Sequence, residues 1–296
     1  MDSITYTWRG GPREYACQFV RVPSTAGRPF TFGDVPGRLI DVGEFFLAST
    51  AVTQALWAHV MGPDANPAIR RGPDLPVENV SWDDLNRPGG FLDRVNASPV
   101  RAAVQGWLGA SARLRLPSET EWEYAARGGA HWRDGYRFSG SDEADAVAWY
   151  GRRHGDHTQP VAGKAPNQLG LYDMSGNVWE WCQDVFTRDV GAIPATAPRS
   201  SGQARSGCCA AAASTIGRRT AQCPRGTRSA RSSTTDALGC DLSRRSTGRH
   251  RPPAPNQASQ PPRPRMAPSR RHGSYPTALQ LTLSVRPHPS SRRPSE

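Results

Sequence analysis

All nine tryptophans and all eight phenylalanines of this 296-residue chain lie before position 199, so the material for a core is confined to its first two thirds. The last third is of another kind. Residues 199–296 hold 18 Arg, no Lys and three acids (Asp236, Asp241, Glu296), a net of +15; the whole chain carries +11, which leaves −4 on residues 1–198. The basic character therefore belongs to the tail, and to treat the whole chain as a nucleic-acid binder would be an error of averaging. The tail also lacks interleaved aromatic residues and any known binding motif, so nucleic acid is not the expected partner. Its Arg/Ser/Pro/Ala-rich composition buries too little apolar surface to offset the entropy of ordering, which predicts disorder from about residue 200 onward.

Other bounds are simple. The start, MDSITYTWRGG, has no apolar h-region, and no run approaches a membrane span, which predicts a cytoplasmic protein with no membrane partner. Six cysteines (Cys17, Cys182, Cys208, Cys209, Cys223, Cys240) show neither CxxC pairs nor zinc spacing, so no disulfide framework or zinc site is expected.

Along the chain, residues 15–48 alternate apolar and polar around Phe19-Val20-Arg21-Val22, Phe30-Thr31-Phe32 and Phe45-Phe46-Leu47, as short strands and turns do. Thr53 is placed to cap a helix with Leu56, Trp57, Val60 and Met61 as its buried stripe, ended by Gly62-Pro63. Ser81 caps another helix, with Asp83 and Asp84 in its favourable first turn; Pro88-Gly89-Gly90 breaks it, with a restart near Phe91. Residues 96–112 read as a loop. In Arg115 to Gly129, RLPSETEWEYAARGG, Pro117 stops what precedes it and Ser118 with Glu121 makes a capping box. Trp122, Ala125 and Ala126 then form one apolar face, and Gly128-Gly129 ends the helix. Some forty residues later comes Leu169 to Trp181, LGLYDMSGNVWEW.

Together these two segments resemble the signature of the formylglycine-generating enzyme / sulfatase-modifying factor family, and VTQALWAHVMG and the Pro76–Asp84 stretch are similar to its earlier landmarks. The resemblance runs over residues 17–186. It implies an α+β, loop-rich fold, a variant of the C-type lectin type. The expected organisation is an N-terminal extension over 1–16, a C-terminally incomplete domain over 17–198, and the basic tail over 199–296. The resemblance also implies calcium held by the side chains of Asp173 and Glu180 and the carbonyls of Gly176 and Val178, oxygen ligands that suit a hard cation. Asn177 has a second reading as a loop-shaping residue, and Glu180 one as a simple cap or pairing partner. A second calcium site of the family is expected to be lost, because Ala146 stands where an Asn is needed.

Catalytic members of the family oxidise a cysteine of a sulfatase-type polypeptide, using copper held by two cysteines five positions apart; thiolates suit reduced copper. No such pair exists here. The family's closing strands, RVxRGGSF and GFRL, are absent as well. Read across codon junctions, however, the tail permits R-V-L-R-G-G-S-F-N from Ser206/Gly207 onward, and Gly, Val, Arg, then Phe or Leu across Leu238 to Leu242. A shift of reading frame between about residues 188 and 205 is therefore expected, with the C-terminal strands missing or replaced. Even in that frame Thr220/Ala221 permits a first Cys, but Arg225/Gly226 permits only Gly, Arg or Trp five positions on. The expectation is a family member without catalytic competence; the alternative is a non-catalytic lectin-fold module that binds a ligand or a protein. His154, Asp156 and His157 are expected to be solvated rather than a metal cluster. Glu119, Glu121 and Glu123 are read as caps and solvent-face residues rather than acid/base carboxylates. Trp179 and Trp181 are read as core, and Arg115 and Arg127 as partners of the signature acids.

Overall fold

The chain opens with a long hairpin. In the computed structural model, β1 (Ser3–Gly10) runs antiparallel to β2 (Arg13–Val22) in register from Ser3↔Val20 to Gly10↔Arg13. Gly11 takes φ 64 at the start of the two-residue turn, the positive φ that short hairpin turns favour. The expected N-terminal extension is thereby corrected: residues 3–10 are a strand of the main sheet, with Ile4 and Trp8 buried. Their alternation in ITYTW was the available signal.

The structure describes residues 2–33, 37–150, 157–184, 193, 208–210 and 277–284. All of them belong to one unit, Met1–Gly226 with Tyr275–Glu296; the other unit, Thr227–Ser274, lies outside the described residues.

After the hairpin, β3 (Phe30–Phe32) pairs with β4 (Arg38–Ile40), and β5 (Phe45–Ala48) returns beside β2. Helix α1 (Gln54–Met61) starts where Thr53 accepts a bond from Leu56 N, with Leu56 and Trp57 buried and Val60 and Met61 partly so. Ser81 and Asp84 form the capping box of α2 (Trp82–Asn86), which ends before Pro88-Gly89-Gly90; α3 (Phe91–Asn96) comes next. The stretch expected as a loop carries α4 (Pro99–Leu108). Ser98 caps it, Pro99 fits the first turn, where no N–H is required, and Val100 and Val104 bury a stripe at i, i+4. Then come β6 (Arg113–Arg115), α5 (Glu119–Ala126), α6 (Ala144–Val147) and β7 (Trp179–Cys182).

The tail contributes β8 (Cys208–Ala210), antiparallel to β7, and β9 (Thr277–Leu279), parallel to β7 on its other side. Two residues on, β10 (Thr282–Ser284) enters the main sheet, whose order is β1-β2-β5-β10-β6. Leu279, Gln280 and Leu281 are fully buried. Ala48 N donates to Leu281 O at 2.8 Å and Val52 N to Leu279 O at 2.7 Å. The expectation of a tail without structure is therefore corrected at 208–210 and 277–284. The period-2 run Leu279-Gln280-Leu281-Thr282-Leu283 is a strand signal that the surrounding composition masks.

Because successive strand residues face opposite sides of a sheet, the main sheet separates two cores. Phe19, Phe46, Ala48 and Leu114 join α1, α3 and α4, while Val20, Val22, Phe45 and Leu47 join β3, β4 and α5. The result is the α+β, loop-rich arrangement expected. No described helix is long and apolar enough to cross a membrane.

Candidate metal centre

Helix α5 is fixed at its start by local chemistry. Ser118 Oγ accepts from Glu121 N at 3.1 Å, and Glu121 Oε2 accepts from Ser118 N at 2.8 Å, the reciprocal bonds of a capping box. Glu121 is also gripped by Arg115 through two bonds of 2.7 Å, and Arg127 pairs with Glu123 at 2.6 Å. Both arginines thus pair with signature acids. The solvent-face reading fails for Glu121, which is buried beneath Arg115.

The second signature is tied to this helix along its length. Trp122 Nε1 donates to Glu180 Oε2 at 2.5 Å across 58 residues. Asn167 Nδ2 donates to Ala125 O at 2.8 Å while its Oδ1 accepts from Leu169 N and Leu171 N. Gln183 N donates to Pro117 O at 2.8 Å, and Asp184 Oδ2 accepts from Glu119 N at 2.5 Å. Trp181 is buried and donates to Val80 O at 2.9 Å, whereas Trp179 is only partly buried. Neither the Trp122–Glu180 bond nor the role of Asp184 has any signal in local sequence pattern.

Between these anchors lie the four candidate ligands. Asp173 sits at φ 59, buried; its Oδ2 accepts from Ala162 N at 2.9 Å, and its Oδ1 is buried with no hydrogen-bond partner. Gly176 has φ 138, and a Cβ there would lie 2.2 Å from Trp149 O, so only glycine fits. Val178 N donates to Gly176 O at 2.8 Å, folding the loop tightly between two of the candidate carbonyls. Asn177, at φ 66, exchanges two bonds with the Gln159 backbone, which makes it the loop-shaping residue of the second reading. Glu180 is buried on β7, between β8 and β9.

The electrostatics mark this as an expensive arrangement when empty of positive charge. Burial pushes the Asp173 carboxyl up to about 6, with the bond from Ala162 opposing the shift. Burial pushes Glu180 up to about 7; the Trp122 bond lowers it and the charge of Asp173 raises it further. The two carboxylates therefore feel each other through a desolvated interior. Among the described residues no group of three or more His, Cys, Asp or Glu that could hold a metal ion gathers. Asp173 Oδ1, buried without a hydrogen-bond partner and electrostatically coupled to a second buried acid, is an oxygen of the kind a hard cation such as calcium takes.

Of the six cysteines, the surroundings of Cys17 and Cys182 are described. Desolvation pushes Cys17 up to about 12, which keeps it a thiol, and Cys182 lies within the core around α5. His154 and Asp156 lie outside the described residues; His157 is exposed.

Residues 9–240 match the family model of the sulfatase-modifying factor enzyme 1-like domain, and the chain belongs to that family. Among curated proteins it is 33% identical over 180 residues to the chaperone protein LppX of Paenibacillus barcinonensis, a match covering 48% of this chain and 63% of that one. It is 34% identical over 160 residues to the formylglycine-generating enzyme of Thermomonospora curvata, covering 50% and 46%. It is also 34% identical over 149 residues to the inactive C-alpha-formylglycine-generating enzyme 2 of Mus musculus, covering 46% and 41%. The chain thus spans from about two fifths to under two thirds of the length of these relatives.

Proposed function

We propose that this chain is a sulfatase-modifying factor family member that does not form formylglycine and serves as a non-catalytic binding module with a calcium-braced signature loop. The observation that carries the first half is the placement of its thiols. No two cysteines stand five positions apart. Of the two whose surroundings are described, Cys182 is buried and Cys17, half-buried, has a strongly raised pKa. One relative, the mouse protein, is inactive by name.

Calcium, when bound, would neutralise the charge of Asp173 and Glu180. The chain's own residues do the rest. Ala162 N and Trp122 Nε1 orient one oxygen of each carboxylate, and the close approach of Gly176 to Trp149 fixes the loop that presents the Gly176 and Val178 carbonyls. The partner class that the family implies is a sulfatase-type polypeptide, bound here without being oxidised.

The test is incubation of the copper-supplemented protein with a cysteine-containing sulfatase peptide and analysis by mass spectrometry. An unchanged peptide thiol is expected; conversion to the aldehyde by native but not heat-killed protein overturns the reading. The out-of-frame origin of the tail is a separate proposal, supported by the junction reading and by β8 lying at the codons that would encode the family's closing strand. Sequencing the gene decides it, and stop codons in the alternative frame between codons 206 and 242 would refute it.

A further inference from the structure

Two cysteines meet where a strand of the tail joins the second signature. Cys182 closes β7 and Cys208 opens β8, and the antiparallel register sets Glu180 against Ala210, Trp181 against Cys209 and Cys182 against Cys208. The two are 26 positions apart in the chain (208 − 182), so only the pairing of the strands brings them together.

Directly opposite residues of an antiparallel pair share one face of the sheet, with Cα atoms about 5.5 Å apart at a hydrogen-bonded position and about 4.5 Å at the other kind. A disulfide needs Cα atoms about 4.4–6.8 Å apart. The register meets this requirement at either kind of position. No other described cysteine has a cysteine opposite: Cys209 faces Trp181 across the pair, and Cys17 on β2 faces Tyr6 on β1. Cys208 and Cys209 are neighbours in one strand and so belong to opposite faces. Cys17 packs against the first core and Cys182 lies in the second.

The surroundings decide which partner a link would fix. β7 is already anchored beside Cys182, where Gln183 N donates to Pro117 O at 2.8 Å. β8 is an outer strand of the three-stranded sheet β8-β7-β9, while Cys182 is fully buried. A reagent thus approaches from the β8 side.

We propose that Cys182 and Cys208 are a modification site, a reversible cross-strand disulfide that forms by exchange with a small external disulfide of the glutathione class and clamps β8 of the tail to the signature strand. Cys208, as thiolate, attacks the external disulfide, forming a mixed disulfide and releasing one external thiolate; the Cys182 sulfur then displaces the second, which carries off its proton. Two protein thiols are oxidised and one external disulfide is reduced to two thiols. The link closes residues 183–207 into a loop, which restricts the unfolded chain and so favours the folded one. None of this depends on whether the metal centre is filled or the family's oxidation chemistry is lost.

The experiment treats the folded full chain with oxidised glutathione, then maps the linked peptides by mass spectrometry under non-reducing conditions. A Cys182 peptide joined to the peptide that carries Cys208 and Cys209, lighter by two hydrogens than the two thiol peptides together, is expected as the main product. Cys209→Ser should keep this link and Cys208→Ser should lose it. The oxidised chain should melt about 5 °C or more above the reduced one, the rise vanishing with dithiothreitol and in Cys208→Ser. A Cys182 that stays unlinked in the intact chain, a link that survives Cys208→Ser, a link lost in Cys209→Ser, or an oxidised chain that melts no higher than the reduced one would each overturn the assignment.

Discussion

Removing the chain after residue 276 would delete β9 and β10 and so empty the slot between β5 and β6. The loss can be sized from its parts. Leu279 and Leu281 are fully buried, and burying one such side chain contributes about 1.5–3 kcal/mol. The bonds Ala48 N to Leu281 O and Val52 N to Leu279 O go as well, each worth about 1 kcal/mol net. Together the loss is about 5–8 kcal/mol, against a total stability of about 5–15 kcal/mol for a domain of ordinary size. The truncated chain should therefore be marginal or unfolded. A milder perturbation keeps the test quantitative: Leu281→Ala should cost about 2–5 kcal/mol, the usual range for a buried Leu replaced by Ala. Urea unfolding monitored by tryptophan fluorescence reads both. A truncated chain with an unchanged urea midpoint and slope would show that the tail strands do not belong to the core.

Three further outcomes concern the metal centre. Both buried carboxyls have folded pKa values above their unfolded ones, about 6 for Asp173 and about 7 for Glu180, so the folded state binds the extra protons. Stability in the presence of a chelator should then fall as pH rises from about 4 through 7 and level off above. Thermal melts across that range should show a shallower decline in Asp173→Asn. Calcium should raise the melting temperature at pH 7.5, and more than at pH 5, where protons compete for the same oxygens. This rise should vanish in both Asp173→Asn and Glu180→Gln, and an undiminished rise in both would exclude the site. Trp122→Phe leaves Glu180 without its indole donor, and Gly176→Ala drives a methyl into Trp149 O; each should cost about 1–3 kcal/mol or more by chemical denaturation.

Sequence by itself determined whatever is written within a few residues. The caps at Thr53, Ser81 and Ser118, the Pro-Gly-Gly break and the apolar face of α5 are all local bonds or local periodicities, and each stands where pattern placed it. The two signatures also named the family, because their wording is shared among its members. Tertiary structure alone decided the rest. Helix α4 is a weak local signal that Val100 and Val104 stabilise by burial in the first core. β1 pairs with β2 across a tight turn, whereas 208–210 and 277–284 become strands because the two sides of β7 and the slot between β5 and β6 supply partners far away in sequence. The proposed metal centre depends on the same kind of contact. Asp173 and Glu180 are ordinary acids in the chain, and only the bond from Trp122, the crossing at Trp149 and the burial that desolvates both turn them into a coupled pair of raised pKa.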